Sequence, residues 1–453
     1  MENKEITWAA IQPLTGGMYL GTEEVIRKQA KYILSYPGLE EIIYDKKDQI
    51  TGMGNERHLL EYLKNKKRRP VYLQFQQGMF DIVDNPIIKE NERYYYDMRP
   101  SCIHEWITTN IDLIVAVPVC AGLSGANTQD HGKQDSTKNN NMKFISKYVL
   151  ETIKPKAYIF ENAPALYTFV GTQTRDYLNE LAEKTGYSIT YIRTNTNLHD
   201  NPQFRQRTFV IFWKWPHGKK CPPPDIDFHN HPMKDVIKFL ERIPKDATQN
   251  DVKKDQMNEP LKNFWDYKFI KHKFGKNWRK VIGEGSLVPY IIDHNLDQEA
   301  IEFSNDERVT KHLTHCRDKR NQSKGWYDSS ITITNNDHVP TIYFRSAHRI
   351  LHPKEDRFYT MREIMSFMKM PYDFEYLHTW RSMGSVIGQN VPAGTIKDWI
   401  IEIKKVLDDW NNKRNIFPKT KKDEIAGNIY FHNNCNPKSS FYPNKQKQGF
   451  KFK

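Results

Sequence analysis

The stretch "IDLIVAVPVCAGLSG", residues 111–125, sets the fold class. A short apolar run rich in β-branched residues ends at Pro118-Val119-Cys120. The chain then turns small and polar. That pattern predicts a buried strand that hands over directly to a loop. The same grammar recurs along the first half of the chain. "ITWAAIQ" (6–12), "LEEIIYD" (39–45), "VYLQF" (71–75), "KAYIFENAP" (156–164), "SITYIRTNTN" (188–197) and "RTFVIFWKW" (207–215) all read as strands. Helical patterns fall between them, over Thr22–Leu34, 55–70, 143–155 and 174–186. Short apolar strands alternating with helices predict a doubly wound α/β fold, its sheet covered on both faces. Such sheets bind ligands beyond the carboxyl ends of their strands. Cys120 and the "ENAP" turn both fall at such ends.

The alternation stops at about Trp215. From there to Thr341 the chain carries "CPPPD", the basic-aromatic stretch "NFWDYKFIKHKFGKNWRK" (263–280) and several histidines, which reads as a second, smaller domain. Core packing is the favoured reading of its aromatics, and a nucleic-acid face is the sharper alternative. Helical patterns return at "TMREIMSFMKMP" (360–371) and "AGTIKDWIIEIKKVLDDWNNK" (393–413). The expected organisation is therefore a first domain over 1–214, a second over 215–341, a returning segment over 342–412, and a disordered tail over 413–453. That tail holds ten Lys and Arg against two acids, +8 of the chain's net +13. It reads as a solubilising segment or as an arm that seeks polyphosphate.

Five cysteines, Cys102, Cys120, Cys221, Cys316 and Cys435, are odd in number and far apart among 453 residues. They suggest free thiols in a reducing, cytoplasmic setting, and their spacing matches no metal site. No apolar run is long enough for a membrane span, and the N-terminus does not read as a secretory signal.

Four local features could share one site. Cys120 leaves a buried strand for a loop; a cysteine is usually a small apolar filler, but its thiolate is also the strongest common nucleophile. Glu161-Asn162 closes a strand after four apolar residues. Glu161 there is either an ordinary helix N-terminal or salt-bridged residue, or a carboxyl of raised pKa that can donate a proton or hydrogen bond. Gln203, Arg205 and Arg207 sit at period two, so in a strand all three would share one face, either solvated or lining a site for anions. Gly16-Gly17 follow the first strand, where a tight turn or a close cofactor would use them.

In this order these residues resemble the DNA cytosine-5 methyltransferase family. "DLIVAVPVCAGLSG" is similar to its Pro-Cys loop, "KPKAYIFENAPAL" to its Glu-Asn motif, and "NPQFRQRTFVIFW" to its Pro-Gln-x-Arg-x-Arg motif. "LHPKEDRFYTMREIMSFMKMPYDF" and "GSVIGQNVPAG" resemble its later motifs, so the likeness runs from about residue 6 to 410. Departures cluster at the cofactor segments. "QPLTGG" stands for Phe-x-Gly-x-Gly-Gly, which puts Gln12 at the Phe and Leu14 at the first Gly. Gln389 replaces an Asn, and Val119 stands where a Pro usually precedes the nucleophile.

The resemblance implies a Rossmann-like S-adenosylmethionine-dependent sheet with an inserted target-recognition domain. It implies Cys120 as nucleophile toward carbon 6 of a flipped-out cytosine in double-stranded DNA, and Glu161 on ring N3 and the amino group. Arg205 would position Glu161 or a phosphate. Pro118, Asn162, Gln203 and Arg207 would line the substrate, with Arg207 mainly structural. Gly16, Gly17, Asp45, Pro118, Gln389, Asn390 and Val391 would hold S-adenosylmethionine, Asp45 through the ribose. The resemblance further implies a monomeric prokaryotic or phage-borne enzyme, with a restriction or defence partner. Methylation of RNA cytosine, transfer of a different group from a modified donor, and a non-catalytic DNA-binding relative remain as alternatives.

Overall fold

The computed structural model describes residues 5–35, 56–68, 70–74, 110–124, 139–227, 231–251, 260–321, 330–342, 349–377, 386–412 and 429–432. The chain divides into two compact units. The first comprises Met1–His199, Gln206–Asn230 and Asn390–Lys453; the second comprises Asp200–Arg205 and His231–Gln389.

The first unit is built on an eight-stranded sheet. Strands β1 (Trp8–Ile11), β2 (Tyr32–Ser35), β3 (Val71–Gln74), β4 (Leu113–Ala116), β5 (Ala157–Asn162), β6 (Tyr187–Asn195) and β7 (Gln206–Lys214) are joined at one edge by the late strand Ile429–His432. From that edge the order is late strand, β6, β7, β5, β4, β1, β2, β3. Only β7 runs antiparallel to its neighbours. The chain winds outward from β1 through β2 and β3, then returns as β4 on the other side of β1. The order reverses between β1 and β4, and ligands of such sheets sit beyond the carboxyl ends at that reversal. Pairing aligns Ile11 with Ala116 and Ala116 with Phe160. The residues that follow Ile11, Ala116 and Phe160 therefore leave the sheet at one level.

The strand sequences explain this placement. Leu113–Ala116 and Ala157–Phe160 are wholly buried. Runs apolar on both faces are what a central parallel strand covered by helices requires. Full burial of each Ile, Leu or Phe stabilises by about 1.5–3 kcal/mol. The covering helices include α1 (Gly17–Ile26), α2 (Glu56–Asn65), α3 (Asn140–Tyr148) and α4 (Thr172–Thr185). Met142 and Ile145 of α3 share a core with Ala116, Leu123 and Phe160.

Several expectations are corrected. The helical pattern over Thr22–Leu34 is two elements. Helix α1 stops where Arg27 turns left-handed (φ 58°), its N–H returned to the Glu23 carbonyl, and Tyr32–Ser35 is the true second strand. The segment 39–45, with Asp45, lies outside the described residues. The tail is not wholly without structure, because Ile429–His432 pairs in parallel with Thr190–Arg193.

The second unit holds a small three-stranded sheet of Gly285–Ser286, Thr332–Ile333 and Ile350–Leu351, with short helices around it. It reaches Gln389, beyond the expected limit at Thr341, because the helix Met361–Phe367 belongs to it. Buried Arg362 on that helix donates to the carbonyls of Thr248 and Pro371, at 2.7 and 3.0 Å, and also to that of Phe374. Thr360 and Glu363 close a reciprocal capping box at the helix start, a device worth about 1 kcal/mol. Trp278 and Phe269 are core residues, whereas Lys268, Lys273, Lys276 and Lys280 from the same stretch, and Lys262 just before it, are exposed. Among the described residues, no helix is long and apolar enough to cross a membrane.

Candidate active site

Cys120 sits four residues beyond β4, half-buried, and its carbonyl accepts the Leu123 N–H at 3.0 Å in a tight turn over Ala121–Leu123. That turn packs against the turn Pro164–Tyr167 that follows β5. The ends of two adjacent strands thus bring Cys120 and the Glu161-Asn162 pair to one edge of the sheet. Pro118 is buried directly before the turn.

Glu161 is almost completely buried. Its Oε1 lies 2.6 Å from Nε of Arg207, which is itself mostly buried. Strand pairing explains the meeting: Asn162 of β5 lies opposite Thr208 of β7, so the next residue, Arg207, stands just past the end of β5. Arg207 Nη1 also donates to the Gln206 carbonyl at 2.7 Å. The guanidinium that faces Glu161 is therefore Arg207.

Arg205 is placed elsewhere. Strand β7 begins only at Gln206, so the period-two argument does not extend to Gln203 or Arg205. Both belong to the second unit. Arg205 is 2% exposed, and its Nη1 donates to the carbonyls of Ile342 (2.7 Å) and Gly388 (3.0 Å). Gln203 is buried and donates to the Phe367 carbonyl at 3.3 Å. Arg205 thus ties backbone segments together, and the arginine in contact with the carboxylate is Arg207, which was expected to be mainly structural. Asn162 is wholly buried too, with Oδ1 on the Ala163 N–H (2.9 Å) and Nδ2 on the Met142 sulfur (3.5 Å). These bonds make it part of the turn that follows β5.

The glycine pair also has a packing role. Gly16 has φ +113°, and an added Cβ there would press on Leu59 of α2. Gly17 donates its N–H to Asn390 Oδ1 at 2.9 Å, and an added Cβ would overlap the Val391 carbonyl oxygen. An added Cβ at Gly21, one turn on, would also overlap a carbonyl oxygen, that of Ala393, though less severely. Gly17 and Gly21 thus form the face on which Asn390–Ala393 and the helix Ala393–Asn411 settle. Gln389 is partly exposed and belongs to the second unit. Backbone overlap of this kind costs about 1–3 kcal/mol. Gly17→Ala is expected to lower the thermal unfolding midpoint clearly, more than Asn390→Ala does. An unchanged midpoint for Gly17→Ala would refute the packing.

The loop between β1 and α1 keeps an unusual backbone. Gln12 (φ 49°) and Leu14 (φ 52°) are both left-handed, which costs a non-glycine residue about 1–2 kcal/mol. Leu14, expected from the resemblance to stand in place of a glycine, has the left-handed backbone that glycine adopts readily. Strain of this kind persists where a ligand site requires a particular loop shape. The Gln12 amide, fully buried at the start of the loop, has no hydrogen-bond partner among the described residues. A strained loop with an unsatisfied amide, at the point where strand order reverses, fits a polar cofactor. Among the described residues, no cluster of His, Cys, Asp or Glu could hold a metal ion.

Comparison with known proteins identifies a family. The family described as C-5 cytosine-specific DNA methylase matches residues 85–405. The chain is 21% identical over 282 residues to the type II methyltransferase M1.HphI of Haemophilus parahaemolyticus; the match covers 62% of this chain and 65% of that relative, just under two-thirds of its length. It is 22% identical over 317 residues to M.MJ0563P of Methanocaldococcus jannaschii, covering 68% of this chain and 82% of that one. The Entamoeba histolytica methyltransferase EhMeth shares the fold, at TM-score 0.50 and 12% identity over 89% of this chain and 99% of its own.

Proposed function

Because the chain belongs to the C-5 cytosine-specific DNA methylase family, we propose that it methylates carbon 5 of a cytosine flipped out of duplex DNA, with Cys120 as the covalent nucleophile. The carrying observation is the delivery of Cys120 and the buried Glu161–Arg207 pair to one sheet edge by the adjacent strands β4, β5 and β7.

S-adenosylmethionine is the family's methyl donor. In this chain the strained loop Gln12–Gly17, with the Gln12 amide, would hold it, while Asn390 and Val391 support the loop's end. When bound, it supplies an electrophilic methyl group. Carbon 5 of cytosine is a poor nucleophile, and the chain's own groups correct this. The Cys120 thiolate adds to carbon 6, which makes carbon 5 enamine-like. Glu161, in its protonated form, donates its proton to ring N3, where negative charge builds as the sulfur adds, and accepts from the amino group, while Arg207 holds the carboxyl group in that place. After methyl transfer, loss of the carbon 5 proton expels the thiolate. None of this can happen inside a stacked duplex, so the base must leave the helix. Exposed lysines of the second unit, Lys262, Lys268, Lys273, Lys276 and Lys280, supply charge for the DNA backbone. The type II names of two relatives support a protective role beside a restriction endonuclease.

The test supplies methyl-labelled S-adenosylmethionine with duplex DNA or with transfer RNA, and maps 5-methylcytosine in cellular DNA. Label in duplex cytosine is the expected result. Label in RNA alone would replace DNA as substrate, and label in neither would overturn the assignment.

A further inference from the structure

The short path from β4 to Cys120 has one backbone donor that the sheet does not use. Val117 makes the last ladder-like bond, its N–H on the Ile11 carbonyl at 3.1 Å. Pro118 has no N–H. Val119 is therefore the first amide beyond the sheet that needs its own acceptor, and it adjoins the nucleophile. Its N–H donates to Asn141 Oδ1 at 2.9 Å. Asn141 lies in the first turn of α3, 91% removed from solvent, and the next residue, Met142, is anchored in the core beneath β4 and β5. Its own Nδ2 has no partner among the described residues, so its visible bond is the one to Val119. The side chain is thus a rigid bracket between a core helix and the residue before Cys120.

We propose that Asn141 is a positioning residue for the Cys120 thiol: its side-chain carbonyl holds the Val119 N–H and fixes the backbone turn from which the sulfur projects. This rests on the reading of Cys120 as nucleophile. The physical reason is the residue at 119. A proline there has no N–H to satisfy and a locked φ, so the turn would be stiff without a bracket. Valine brings both a donor and torsional freedom, and Asn141 answers both. An unmet amide at this depth would bond water or let the turn sample other shapes, and a displaced nucleophile loses rate steeply.

The experiment uses the full chain in four forms beside wild type: Asn141→Ala, Asn141→Asp, Val119→Pro, and Val119→Pro with Asn141→Ala. Alkylation of Cys120 by iodoacetamide, followed by peptide mapping, reads the turn without DNA or donor. Single-turnover methyl transfer to duplex DNA reads the chemistry. Asn141→Ala should speed alkylation by about threefold or more, as the turn opens locally. It should slow transfer by about tenfold to a hundredfold while DNA affinity stays within about twofold. Asn141→Asp keeps the acceptor and should match wild type in alkylation. Val119→Pro should restore both readouts in the Asn141→Ala background. Failure of that rescue, loss with Asn141→Asp, or an Asn141→Ala protein alkylated like wild type would each overturn the proposal. Should wild type transfer no methyl at all, the proposed function fails, and the alkylation series alone still decides whether Asn141 sets the turn.

Discussion

Replacing Cys120 by alanine is expected to reduce methyl transfer by on the order of 10⁴-fold or more while leaving the fold intact. The two halves of that expectation come from different observations. Cys120 is half-buried at a turn and only borders the main core. Removing its sulfur therefore leaves no enclosed cavity, and the unfolding midpoint should move little. The chemistry has no substitute. Methyl transfer needs electron density on carbon 5, and only addition at carbon 6 provides it. Among the described residues, the other cysteines outside disulfides are Cys221 and Cys316. Burial pushes the Cys221 thiol up to about 11, where little thiolate exists at neutral pH. Cys316 is buried within a helix of the second unit. Serine at 120 should behave like alanine, because a hydroxyl ionises far less readily than a thiol and is a much weaker nucleophile. Three measurements separate the outcomes: labelled-methyl transfer, DNA affinity, and covalent capture by DNA containing 5-fluorocytosine. Wild type should form the captured complex and Cys120→Ala should not, with DNA affinity retained. Transfer that persists in the alanine variant would remove Cys120 from the mechanism.

The central strands were legible because a strand covered on both faces must be apolar throughout. "DLIVAV" and "AYIF" permit few other readings, and their exits place Cys120 and Glu161. The α1–β2 boundary was not legible. Arg27 ends the helix by turning left-handed, and no glycine or proline marks the change. The arginine motif misled for a different reason. Period-two spacing implies a shared face only inside a strand, and β7 starts at Gln206, between the two arginines. The meaning of Gly17 depends on Asn390 and Val391, more than 300 positions later in the chain. Local spacing cannot distinguish a glycine that admits a cofactor from one that admits another backbone. Asn141 matches no motif. Its only trace is Val119, where a non-proline residue creates an amide that must find an acceptor.

Arg207→Ala is the second large effect, and it separates the two arginines. The variant leaves the Glu161 carboxylate nearly enclosed without its cation. Breaking a buried ion pair from one side typically costs about 3–5 kcal/mol. The Arg207→Ala protein should therefore unfold at a clearly lower temperature, and transfer should fall by at least about a hundredfold because the carboxylate is no longer held. Adding Glu161→Gln removes the stranded charge. The double variant should regain much of the lost stability, since the two residues act on one interaction, but it should regain no transfer. Arg205→Ala should behave differently. It unties two backbone carbonyls of the second unit, so it should weaken folding with no recovery from Glu161→Gln. The decisive comparison is the response of each arginine variant to that second substitution, read as the unfolding midpoint. If Glu161→Gln restores stability to Arg205→Ala and not to Arg207→Ala, the pairing of Glu161 with Arg207 is wrong.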